Sequence, residues 1–208
     1  MKYCFAVLST AVLIAAMPQA LAASTVDLAV NGAITPAACL PNLSGGGVVD
    51  FDRIAAKDLR QTGSTPLPDH TLTLQVSCDS AIPFALLATD NRAGTASQAG
   101  SLYFGLGLIN GSQKLGGYNI VMMNAVADGV EVAAIRSPDG KTDWQHNLFW
   151  WPTQYMSVAA MDNVSQPIAA QNLTLDLLIG TSIARADGLD LSNEVPIDGS
   201  ATLEMTYL

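Results

Sequence analysis

The chain has 208 residues, half of them hydrophobic, with 18 acidic side chains against nine basic ones. Such a charge balance leaves no basic patch for nucleic acid. The length suits one hydrophobic core and is short for two domains.

Lys2 precedes an apolar run over residues 5–17, and the small-residue site Ala20, Leu21 and Ala22 follows. This is the pattern of a secretory signal peptide over residues 1–22. A membrane-spanning helix needs about 20 apolar residues, and this run is interrupted by Ser9 and Thr10 and closed by Pro18. Cleavage after Ala22 removes one cation and no acid, leaving 186 residues with eight cations. Acidity of this kind favours solubility and discourages binding to anionic membranes, without naming a partner.

Residues 23–31 form a short N-terminal extension, and residues 32–208 are expected to be one folded domain. Within the extension Val26, Leu28 and Val30 alternate with Asp27, Ala29 and Asn31, the period-2 signature of a half-buried strand. Cys4 leaves with the leader, so Cys39 and Cys78 remain. In an oxidising compartment two lone cysteines read as one disulfide. They lack CxxC spacing, and neither has a histidine beside it, which weakens redox and metal readings.

Residues 51–62 are the only stretch with helical character, enough for one or two turns. Leu72, Leu74 and Val76 alternate with Thr71, Thr73, Gln75 and Ser77 up to Cys78, a clear strand. Further strands are expected at 83–89, 102–109, 118–127, 130–136, 155–160 and 173–179, separated by Gly and Pro punctuation. Asp128-Gly129 is a short hairpin signal, and Ser137-Pro138-Asp139-Gly140 has the composition of a type I or II turn. Leu203, Met205 and Tyr207 alternate with Thr202, Glu204 and Thr206 in a last strand that runs into the C-terminus. Short strands at this spacing predict an all-β sandwich.

Four segments together resemble the pilins of chaperone-usher fimbriae of the type 1-like kind. Gly32-Ala33-Ile34-Thr35-Pro36-Ala37-Ala38-Cys39 is similar to their first-strand motif. Asp50-Phe51-Asp52 with Ile54 resembles the next strand and its helical turn. Leu72-Thr73-Leu74-Gln75-Val76-Ser77-Cys78-Asp79 resembles the strand that delivers the second cysteine, and residues 199–207 resemble the closing strand with its penultimate tyrosine. Family members often carry a glycine further upstream of that tyrosine, where Val195 stands here. Residues 94–165 carry no part of the resemblance.

The resemblance implies an incomplete immunoglobulin-like β-sandwich, one strand short, with an apolar groove completed by a donor strand. Chaperone-pilin complementation is one instance of a wider recognition mode, in which an extended segment adds itself to an open sheet edge. The resemblance further implies a periplasmic chaperone and an outer-membrane usher as partners, then other pilin subunits, and a final place in a surface fimbrium. Val26, Leu28 and Val30 are the candidate donor strand, each plug worth roughly 1.5–3 kcal/mol on burial. The same residues read equally well as the domain's own first strand. Leu203, Met205, Tyr207 and Leu208 are the candidate groove lining and chaperone contact, the Leu208 carboxylate being the group a chaperone's basic residues would hold.

No GxSxG, HExxH, phosphate-cradling glycine loop or CxxC is present, so no enzyme, metal or cofactor chemistry is expected. His70 and His146 sit in turn-like polar contexts. Asp187, Asp190, Asn193 and Glu194 do not match an EF-hand, since Gly188 falls too early. Trp144, Phe149, Trp150, Trp151 and Tyr155 offer the second functional reading, an adhesive minor subunit or exported protein that binds a glycan or host receptor, against the plainer reading of core packing. Two adjacent tryptophans on a strand face opposite sides, and Pro152 points to a sheet edge.

Overall fold

A computed structural model describes residues 38–208. The signal peptide expected at 1–22, the extension at 23–31 with Val26, Leu28 and Val30, and the motif from Gly32 to Ala37 lie outside the described residues.

Strand β1 (Cys39–Leu43) ends where Gly45, Gly46 and Gly47 take positive φ of 60, 67 and 74°. Side chains resist that conformation and glycine does not. An irregular stretch, with Asp52 at φ 51°, then leads to a single 3₁₀ turn at Ala56–Asp58, shorter than the one or two helical turns the sequence allows, and to β2 (Thr65–Pro66). The central element is β3 (His70–Asp90), 21 residues long. It unites the strands expected at 71–77 and 83–89, because the backbone stays extended through Asp79, Ser80 and Ala81.

The region expected as a strand at 102–109 is instead two short pieces, β4 (Phe104–Gly105) and β5 (Leu108–Ile109). Gly107 at φ 82° turns the chain between them. Among the described residues β5 pairs only with β6 (Gln113–Lys114). Next come β7 (Gly116–Ala127) and β8 (Val130–Glu131), joined by Asp128 and Gly129 with φ of 49 and 81°. Positive φ at both central residues is the two-residue hairpin geometry that Asp-Gly announces. Strands β9 (Ala133–Ser137), β10 (Gln145–His146), β11 (Phe149–Trp150) and β12 (Tyr155–Ala159) follow, then β13 (Ala169–Ile183) and β14 (Ala201–Tyr207).

All pairings are antiparallel. The protein is all-β, and no α-helix occurs among the described residues. The first half of β3 lies between β1 and β13, with β7 beyond β13; its second half lies between β14 and β12, with β9 and β10 beyond. One strand therefore belongs to both layers, and the sheet curls around a shared core. Leu74, Val76 and Cys78 from the first half of β3 meet Phe84, Leu86 and Ala88 from the second in that core, together with Leu173, Leu175 and Leu177 of β13. In the first half of β3 and in β13 every second residue buries, as a two-layer sandwich requires, whereas Phe84, Ala85 and Leu86 in the second half of β3 are buried in succession, Ala85 in a separate small cluster.

Cys39 stands opposite Cys78 in the β1–β3 ladder, and the two form a disulfide with their Cα atoms 3.9 Å apart.

Candidate functional site

An apolar groove of about 870 Å³ opens along one side of the core. Its floor is built by Leu72 of β3, Tyr118 and Ile120 of β7, and Leu177 and Ile179 of β13. One wall is β14, through Ala201 and Leu203; the other is the stretch at 48–55, through Val49, Phe51 and Ile54. Leu191 and Val195, in the loop that leads into β14, close one end.

The walls differ from the rest of the core in one respect. Val49 and Phe51 on one side, and Ala201 and Leu203 on the other, pack against the buried cluster yet remain only half-buried. In a closed sandwich residues at these alternating positions would be covered by a neighbouring strand.

The backbone repeats the pattern. β14 pairs with β3 alone among the described residues. Ser200 accepts a hydrogen bond from the Asn91 N–H at 3.0 Å, and the Leu208 N–H donates to the Pro83 carbonyl at 3.1 Å. Successive residues of an antiparallel strand turn their backbone groups to opposite sides. The groups of Ala201, Leu203, Met205 and Tyr207 therefore point away from β3, and Ala201 and Leu203 among them line the groove. Across it, residues 49–54 make no backbone-to-backbone hydrogen bond among the described residues; the Asp52 N–H donates only to the Asp50 carboxylate, at 2.8 Å. Here the resemblance implied a strand, and the stretch is unpaired among the described residues, with Asp52 at a positive φ of 51°. Val49 and Phe51 nonetheless face the core while Asp50 and Asp52 are exposed, which is the alternation of a strand waiting for a ladder.

Beyond the groove, at the end of β14, the Tyr207 hydroxyl oxygen accepts a hydrogen bond from the Cys39 N–H at 3.0 Å. Leu208 is exposed, and beside it lies a second depression lined by Pro83, Lys141, Trp144 and Tyr155.

At the β14 entrance Arg92 clamps Asp198 through two bonds of 2.9 and 2.8 Å. This neighbour raises the arginine and holds the Asp198 carboxyl below its usual range. Beneath it the buried Asp90 accepts from the N–H groups of Arg92 and Gly105 at 2.8 and 2.9 Å. Burial pushes the nearby Tyr118 phenol far above its usual value, and the Asp90 charge adds to the shift. These contacts fix the loops around the groove; they bring no nucleophile and base together.

The aromatic residues do not form one platform. Trp150 is wholly buried in the main core. Trp144 belongs to a separate small cluster with Ala85, Ile135 and Ala159, against which Tyr155 packs. Phe149 is exposed, Trp151 and Tyr155 are half-buried, and the Arg136 guanidinium stacks over the Trp151 ring at 3.8 Å. The adjacent tryptophans face opposite ways, as their strand geometry requires.

His70 stacks edge-on against Phe51 at 4.8 Å, and His146 is exposed on β10. Asp187 pairs with Arg185, and Asp190 caps its own turn by accepting from the Ser192 N–H and hydroxyl. No group of three or more His, Cys, Asp or Glu side chains placed to hold a metal occurs among the described residues.

The floor residues Tyr118, Ile120, Leu177 and Ile179 were not singled out by the sequence, because inward positions of central strands look the same whether a groove or a closed core lies above them. The unpaired wall at 48–55 carried a signal in Val49, Asp50, Phe51 and Asp52, whose alternation is strand-like.

Residues 28–120 match a family described as a protein of unknown function, DUF1120. Along most of its length the chain is also similar to two proteins of Escherichia coli (strain K12), each at 25% identity. The uncharacterized protein YhcF matches over 91% of this chain and 93% of its own, and protein GltF over 97% and 98%.

Proposed function

We propose that this protein is an exported structural subunit of a fimbrial-like assembly, working as a strand acceptor and not as an enzyme. The observation that carries this reading is that, among the described residues, β14 pairs with β3 alone and residues 49–54 pair with no strand, the two lying on opposite sides of an apolar groove. A segment laid between them gains a ladder on both sides and buries alternate side chains on the floor, which is the physics of strand addition. Left open, such an edge beside apolar surface is an aggregation site. That is why the reading calls for a periplasmic chaperone as the first partner, an outer-membrane usher as the second, and a neighbouring subunit as the last.

Further support comes from the export signal expected at residues 1–22, from the placement of Cys39 and Cys78, and from the terminal strand ending at Tyr207 and Leu208. The adhesive alternative is the weaker one, since Trp144 and Trp150 are taken up by packing. Val26, Leu28 and Val30 are proposed as the donor segment that this subunit offers in turn.

The test is export of the chain with and without residues 207 and 208, in cells that hold a matching chaperone. Full-length protein is expected in the periplasm, with strand-exchanged ladders that resist SDS, and the truncated form is expected to vanish. Normal yield of truncated monomer without any chaperone would sink the reading.

A further inference from the structure

The groove's rim is acidic. Seen from solvent, a strand seated between the walls would bring its outward side chains level with Asp50 and Asp52 on one side and Glu204 on the other, all three exposed. Arg53 is the cation lining the groove, and it lies 3.6 Å from Glu194. Asp50, Asp52 and Glu204 have no ion-pair partner among the described residues.

Side chains directly opposite on neighbouring strands sit close enough for like charges to repel and opposite charges to attract. A seated donor is therefore judged twice, by its inward apolar residues and by the charge of its outward ones. The chain's own segment at 23–31 passes the first judgement with Val26, Leu28 and Val30. It fails the second, because its outward set contains Asp27 and no cation, and Lys2 is the only cation in the first 37 residues. With 18 acidic residues against nine basic ones, two copies also repel as whole bodies.

We infer that the groove takes its strand from a different polypeptide, one that alternates aliphatic residues with lysine or arginine, and that a second copy of this chain is a poor donor. The inference rests on the strand-acceptor reading and adds the chemistry of the partner.

The full chain, with its disulfide intact, is refolded from denaturant in the presence of labelled nine-residue peptides, and binding is read by fluorescence anisotropy. One peptide is the native 23–31 sequence. A second carries Asp27→Lys and Ala29→Lys, and a third has the residues of the second in scrambled order. The lysine peptide is expected to bind about tenfold more tightly than the native one at low salt, a modest gain of the size that several exposed ion pairs give. In about 1 M salt, where charges are screened beyond about 3 Å, the advantage should fall within about twofold. The triple variant Asp50→Asn, Asp52→Asn, Glu204→Gln should erase it at low salt, and because all three side chains are exposed its thermal unfolding should match the parent's.

Equal binding of the first two peptides at low salt, or tighter binding of the native one, overturns the charge inference and leaves strand acceptance standing. Equal binding of the scrambled peptide shows plain charge attraction and also overturns it. Binding of none of the three overturns strand acceptance itself, and this inference with it.

Discussion

Tyr207 and Cys39 join the last strand of the protein to the first strand of the described fold: the phenol oxygen accepts the Cys39 N–H at 3.0 Å, 168 positions apart in the chain. The same Cys39 is bonded to Cys78 of β3. Through these two links β14, β1 and β3 are tied to one another at one place.

Tyr207→Phe keeps the ring and removes the acceptor. A hydrogen bond of this kind contributes about 1 kcal/mol net, which in a domain of this size lowers Tm by roughly 2–4 °C. Differential scanning calorimetry checks it. An unchanged Tm would mean that water replaces the phenol without loss.

The disulfide closes a loop of 39 residues in sequence separation. On the chain-entropy account this restricts the unfolded state by roughly 4 kcal/mol. Urea unfolding of the Cys39→Ala, Cys78→Ala double variant is expected to show a loss of that order. A loss well under about 1 kcal/mol would show that the β1–β3 ladder holds β1 without it.

Strand positions were legible wherever one face is buried and the other wet. Leu72, Leu74 and Val76 read as one strand and Leu203, Met205 and Tyr207 as another, because period-2 alternation has no other simple explanation. The hairpin at Asp128-Gly129 was legible for a local reason, the positive φ that both positions need. The continuity of β3 was not, since Asp79 and Ser80 look like turn residues and extend only because neighbouring strands hold them. Nor was the split of the aromatic residues between two clusters, which depends on how the sheet curls. The groove itself depends on what lies beside β14, where no strand stands among the described residues, and sequence periodicity describes strands one at a time.

Gly105 is a site where no side chain fits. A Cβ there would lie 2.1 Å from the Thr95 hydroxyl oxygen and 2.4 Å from the Arg92 carbonyl oxygen. Its N–H also donates to the buried Asp90 at 2.9 Å. Gly105→Ala must therefore displace backbone as well as a side chain, and the expected cost is about 3 kcal/mol or more, the upper end of overpacking effects. Loss of soluble protein, or a Tm drop above roughly 6 °C, is the expected outcome. Parent-like stability would mean that the loop around residues 92–95 moves freely.

Acid should weaken the fold through a small set of carboxylates, of which Asp139 is the clearest. Its oxygens accept from the Thr142 and Lys141 N–H groups, both at 2.8 Å, and from the Thr142 and Ser137 hydroxyls at 2.8 and 2.9 Å. These bonds favour the charged form, backbone donors first, and hold the carboxyl well below the usual carboxylate range. A folded-state pKa below the unfolded value, about 4, means that the contribution is complete above about pH 5 and is lost as pH falls through the folded value. Asp128 and Asp198 act in the same direction, through the Gln171 and Asn172 N–H groups and through Arg92. Asp139→Asn is therefore expected to be less stable than the parent at about pH 7, with the gap narrowing steadily below about pH 4. Thermal unfolding of the two proteins from about pH 7 to about pH 2 measures the gap directly, and a gap that stays constant or widens in acid would refute the assignment.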